Sequence, residues 1–124
     1  MIDSVFLGPL QNLLTYFQKD AHFKSAQKDA ALSAIDTALT STLEYIEKSN
    51  GQKCFDREAE FELSRLWSDA AIKVRHVSRD LSIRLMDKAD YWADKLKWSS
   101  GEVIDRKIRI VEIRAAYREL LANV

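Results

Sequence analysis

Interruptions are scarce in this chain. Three glycines and one proline are spread over 124 residues, and residues 52–98 contain neither. Long stretches without breakers favour helices, because sheets of this length need turn residues every few positions. Gly8-Pro9 precedes the first long segment, and Pro9 suits a first helical turn. Ser49-Asn50-Gly51 is the expected stop, since Asn and Gly tolerate the left-handed backbone that ends helices. Ser99-Ser100-Gly101 is the next punctuation.

Apolar spacing supports the same class. Leu10, Leu13, Leu14, Phe17 and Ala21 recur at three and four residues, and Ala31, Ile35, Ala38, Leu39, Thr42 and Ile46 resume the stripe. Lys24, Ser25 and Lys28 interrupt it, which leaves one helix over about 9–48 or a break near His22 to Ser25. Phe55, Ala59, Leu63, Leu66, Ala70, Val74 and Val77 make a second stripe, and Leu81, Leu85, Ala89, Trp92 and Leu96 continue it. Ser78 is a good N-cap, so a turn at residues 77–80 competes with an unbroken helix. A last helix is expected over about 102–122, with Val103, Ile110, Ile113, Tyr117, Leu120 and Leu121 on one face. No β pattern and no internal repeat emerge. The expected fold is all-α, an antiparallel bundle of three to five helices forming one domain over residues 1–124.

Charge and cysteine content narrow the function classes. Nineteen basic and nineteen acidic residues cancel, which disfavours a globally basic nucleic-acid binder. One cysteine, Cys54, permits no internal disulfide and fits a reducing compartment. Residues 4–18 carry no charge, yet they lack the basic leader and small-residue cleavage site of a signal peptide. No stretch is long enough to span a membrane. The cytoplasm is the expected location.

Catalytic motifs are absent. Isolated glycines make neither a P-loop nor a dinucleotide fingerprint, and there is no H-E-x-x-H or G-x-S-x-G. Neither His22 nor His76 has a glutamate three residues before it or an arginine four to six residues before it, which excludes di-metal bundle sites and the HEPN type of helical ribonuclease. Asp80, Asp87, Asp90 and Asp94 share one helical side, where Arg84 and Lys97 are spaced to pair with them. No cofactor, metal or small-molecule substrate is implied, and a non-enzymatic protein is expected.

Three surfaces carry the remaining signal. On a continuous last helix, Ile104, Ile108, Val111 and Ala115 form a second apolar face, rimmed by Lys107, Arg114 and Arg118 on one flank and Asp105, Glu112 and Glu119 on the other. A helix apolar on two sides is sandwiched or shared. Off-stripe Tyr91 and Trp98 add aromatic area of the kind found at interface hot spots. These six residues are the expected interface of an oligomerisation or adaptor module whose partner is a protein, foremost a second copy. Leu10, Leu13, Leu14 and Phe17 offer an alternative, a helix within residues 4–18 that lies on a membrane. Lys73, Arg75, Arg79 and Arg84 form a local basic patch suited to an anion or a nucleic-acid backbone.

Overall fold

A computed structural model describes residues 10–50, 52 and 55–122, with side chains from Ser25 onward. Every regular element among the described residues is helical. Helix α1 is Leu10–Ser49, α2 is Arg57–Val74, α3 is Arg79–Ala93, α4 is Ser100–Asp105 and α5 is Ile110–Ala122, with a 3-10 turn at Lys95–Lys97.

The capping chemistry explains the boundaries. α1 runs through the polar interruption at His22 to Ser25 without a break and stops where expected, with Asn50 in the left-handed region at φ 52°. Asp56 caps α2, its carboxylate accepting the backbone N–H groups of Glu58 (3.1 Å) and Ala59 (3.2 Å). Ser78 caps α3 by accepting from Leu81 N–H, so the turn at residues 75–78 separates two helices. Ser99 and Glu102 make a reciprocal capping box at the start of α4, which satisfies two otherwise orphaned backbone donors. Ser100 and Gly101, expected as a turn, are the first residues of that helix.

The expected single helix over 102–122 is not formed. Lys107 adopts φ 57°, its N–H donates to Ile104 O (3.1 Å), and Ile108 N–H reaches back to Val103 O (3.3 Å). That pair of bonds is a Schellman stop, which usually has glycine where Lys107 stands. The chain turns and restarts at Ile110, where the Glu112 carboxylate accepts from both the backbone N–H (3.4 Å) and Nε (2.9 Å) of Arg109.

The core follows the stripes. Ala31, Ile35, Ala38, Leu39 and Thr42 of α1, Leu63, Trp67, Ala70, Ala71 and Val74 of α2, and Leu81, Leu85, Ala89 and Trp92 of α3 are all buried. α2 packs against both α1 and α3, and α5 packs against α1. Polar bonds fix how they meet: Trp67 Nε1 donates to Thr42 Oγ1 (2.9 Å), Ser64 Oγ to Ala89 O (2.8 Å), and Ser82 Oγ to Ala71 O (2.6 Å). Four of the expected apolar-face positions depart from expectation. Ile46, Phe55, Leu96 and Leu121 are exposed, Leu96 because the 3-10 turn breaks the phase of α3. Among the described side chains of α1 the first buried one is Ala31, while Ser25, Ala26, Asp29 and Ala30 are exposed. No helix among the described residues is long and apolar enough to cross a membrane.

Candidate functional site

The C-terminal end of α1, the last turns of α3, the 3-10 turn and α4 surround a cleft of about 510 Å³. Its walls are aromatic. Tyr91 stands edge-on to Trp92, with ring centroids 5.2 Å apart, and to Trp98 at 6.3 Å. Tyr45 stacks edge-on against Trp92 from the α1 side at 5.6 Å. Outside this aromatic lining, the side chains of Ile46, Leu96 and Ile104 are exposed at the mouth, Leu96 to 68%.

Beneath one wall lies a buried ionic cluster. Glu60 of α2 is fully buried and accepts from Tyr45 Oη, from Arg57 Nη1 and from Lys95 Nζ, the last at 2.7 Å. Burial opposes its charge, but the hydrogen bonds from Lys95, Tyr45 and Arg57 prevail and hold the carboxyl below the usual carboxylate range. Burial, reinforced by the bond to Glu60, pushes the Tyr45 phenol up. Arg57 Nη2 also donates to Ala93 O (2.6 Å). The cluster thereby ties the start of α2 to the end of α3 and positions Lys95 on the cleft wall.

Lys88 is the unusual member of this wall. It is 5% exposed, and its ammonium lies 5.0 Å from the Tyr91 ring centroid and 5.8 Å from that of Trp92. It makes no hydrogen bond or ion pair with the described residues. Burial drives its pKa down to about 8, and the charge of Glu112 only partly resists. Cation–π contacts compensate part of the lost hydration. Beside Lys88 the Trp92 Nε1–H is buried without an acceptor.

The residues singled out by sequence divide between this cleft and other parts of the fold. Tyr91, Trp98 and Ile104 meet at it. Ile108 does not belong to any exposed face: it is fully buried, because the stop at Lys107 turns it inward beneath α4. Val111 (66% exposed) and Ala115 lie on α5, away from the cleft lining. The two-faced helix is therefore two short helices with different faces.

The basic patch is likewise divided. Arg84 is no surface cation. Its guanidinium is spent on the carbonyls of Lys107 and Glu112. Lys73 pairs with Asp69 at 3.1 Å. Arg75 and Arg79 remain exposed, Arg75 with its Nε against His76 Nε2 at 3.3 Å. Of the aspartate row, Asp80 and Asp94 pair with Arg84 and Lys97, and Asp87 pairs with Arg106. No cluster of metal-ligating side chains occurs among the described residues. Leu10, Leu13, Leu14 and Phe17 fall within α1, but their side chains lie outside the described residues, as do Cys54 and the side chain of His22.

Sequence reasoning passed over Lys88 and Glu60, although both left a signal. Lys88 stands seven after Leu81 and three after Leu85, and Glu60 stands three before Leu63 and seven before Trp67. A charge at a core-facing helical position is the mark of a buried polar site.

No protein-family model matches the chain, and neither a curated protein nor a solved structure shows significant similarity to it.

Proposed function

We propose that the chain is a non-enzymatic interaction module, a single antiparallel helical bundle that receives a segment of a partner protein in the cleft beside α4. The pairings Ser64 with Ala89 and Ser82 with Ala71 support the antiparallel arrangement of α2 and α3. As one position advances the other recedes by the same number of residues.

The carrying observation is the exposed apolar rim. A pocket built for a small molecule encloses most of its ligand and buries its own apolar lining. Here Ile46, Leu96 and Ile104 stand outside an aromatic cleft, which suits a longer segment whose anchor side chain enters while its neighbours cover the rim. The lining also favours binding over catalysis. Among the described residues the cleft lining offers amines and phenols but no carboxylate or imidazole, the groups that most often carry general acid–base work.

Selection from an unbiased peptide-display library against the full chain tests this reading. Peptides should be enriched on the wild type and lost on Leu96→Ser combined with Ile104→Ser, two exposed positions whose change leaves the helical circular dichroism intact. Equal enrichment on the variant, or none on either protein, overturns it. Light scattering over a concentration series should show a monomer. Assembly that the same variant abolishes would replace the foreign partner with a second copy.

A further inference from the structure

The cleft is electrostatically one-sided. Lys88, Lys95 and Arg109 line it, and no Asp or Glu among the described residues does. Two of the three charges are answered from behind the wall, Lys95 by Glu60 at 2.7 Å and Arg109 by Glu112 at 2.9 Å. Lys88 has no hydrogen-bond or ion-pair partner among the described residues, and the nearby charge of Glu112 only partly offsets its burial. Its ammonium stands against the faces of Tyr91 and Trp92, which return a fraction of the hydration lost on burial.

We infer that Lys88 is the recognition residue for a carboxylate on the partner, so that the segment entering the cleft carries an Asp or Glu side chain between apolar or aromatic neighbours. This rests on the proposed interaction role of the cleft and names the chemistry of its occupant. Charge count favours a carboxylate over a phosphate group. One monocation without an ion-pair partner among the described residues matches one monoanion, whereas a dianion in an apolar-lined cleft wants an arginine fork or several free cations. The indole N–H of Trp92, buried without an acceptor in the same wall, makes this region richer in donors than in acceptors. The rim side chains supply apolar area for the neighbours of the acid. The apolar rings that flank the ammonium lower the local polarity, which strengthens a charge-assisted hydrogen bond once an anion arrives.

The test uses the peptides selected on the wild-type chain and the indole N–H resonances in nuclear magnetic resonance spectra. Three tryptophans give three such signals: Trp92 and Trp98 line the cleft, while Trp67 is buried against Thr42 and serves as the internal control. Selected peptides should share an acidic residue flanked by apolar ones and should shift Trp92 and Trp98 but not Trp67. Replacing that acid by its amide, or introducing Lys88→Met into the protein, should each weaken binding by about tenfold or more. Peptides that lack an acid, or that bind equally well as amides, while still depending on Leu96 and Ile104, would overturn the carboxylate inference and leave the interaction role standing. A library that enriches nothing overturns both. Shifts of Trp92 and Trp98 by phenylacetate, with no peptide enriched, would overturn the peptide occupant in favour of a small organic acid.

Discussion

The Arg84 guanidinium donates from Nε (3.2 Å) and Nη2 (3.1 Å) to the carbonyl oxygen of Lys107, 23 residues further along the chain. Nη2 also approaches Glu112 O at 3.4 Å. The carbonyl it grips belongs to the one described residue besides Asn50 that is not glycine and has positive φ. A left-handed lysine costs about 1–2 kcal/mol relative to ordinary helical backbone, and the bidentate charged contact offsets that cost. The clamp decides where α4 ends, hence which way Ile108 points and where α5 begins.

Arg84→Ala should therefore destabilise the fold by about 1–3 kcal/mol, measured by denaturant titration. Lys107→Gly should do the opposite, gaining about 0.5–1 kcal/mol because glycine enters the left-handed region without a Cβ penalty. In the double variant glycine should recover part of the loss caused by Arg84→Ala. A neutral Arg84→Ala would show that the turn holds without its clamp.

The helical class and the α1 and α2 stripes were legible because burial imposes a 3.6-residue period on the sequence, and Asn50 and Ser78 marked two boundaries by local chemistry. The break at Lys107 was not legible. Lysine carries no turn signal, and the group that stabilises the turn is an arginine on another helix. The same contact removes Arg84 from the basic patch. At the cleft, Tyr91, Trp98 and Ile104 were visible as apolar residues off the stripes, but their meeting depends on the 3-10 turn after Ala93. Lys88 was readable only by asking why a lysine shares the face of Leu81 and Leu85.

Ile108 provides a direct check of the broken helix. Fully buried, it packs at the position where a Schellman stop makes its apolar contact with Val103. Ile108→Glu would bury a charge without a partner and should abolish cooperative unfolding, and Ile108→Ala should cost about 2–5 kcal/mol. Val111→Glu, on an exposed position three residues on, should stay within about 0.5 kcal/mol of wild type. Equal tolerance at both positions would restore the continuous two-faced helix.

Glu60 makes stability depend on acid. Its pKa lies below the ordinary 4.5 because Lys95, Tyr45 and Arg57 donate to it against the cost of burial. The native state thus binds fewer protons here than the unfolded chain does. The resulting stability is complete above about pH 4.5 and is lost as the pH falls through the lower native value. Glu60→Leu leaves the nearly buried ammonium of Lys95 unpaired and should cost about 3–5 kcal/mol at neutral pH. Glu60→Gln should cost less and flatten the acid limb of a melting-temperature profile. An acid limb unchanged in Glu60→Gln would assign the acid sensitivity to other carboxylates.

Lys88 should cost the protein stability. Its pKa in the fold is about 8 against an ordinary 10.5, so the folded chain holds the ammonium less firmly than the unfolded chain. Below about pH 8 both states are charged and the full penalty applies, about 3 kcal/mol at 1.36 kcal/mol per pH unit. Between about pH 8 and 10.5 the unfolded chain binds more protons, and the penalty is relieved as the pH rises. Lys88→Met keeps the apolar stem and removes the charge, so it should stabilise the chain by about 1–3 kcal/mol at pH 7, with the advantage shrinking toward pH 10.5. Tyr45, Tyr91, Lys95, Arg109 and Glu112 surround the same region, but they are common to both proteins, so the difference between the two pH profiles isolates Lys88. Destabilisation at pH 7, or an advantage that stays constant across the alkaline range, would mean that Lys88 is held by contacts worth more than its burial costs. A variant that gains stability while losing acidic peptides would carry the signature of a residue kept for binding at the expense of the fold.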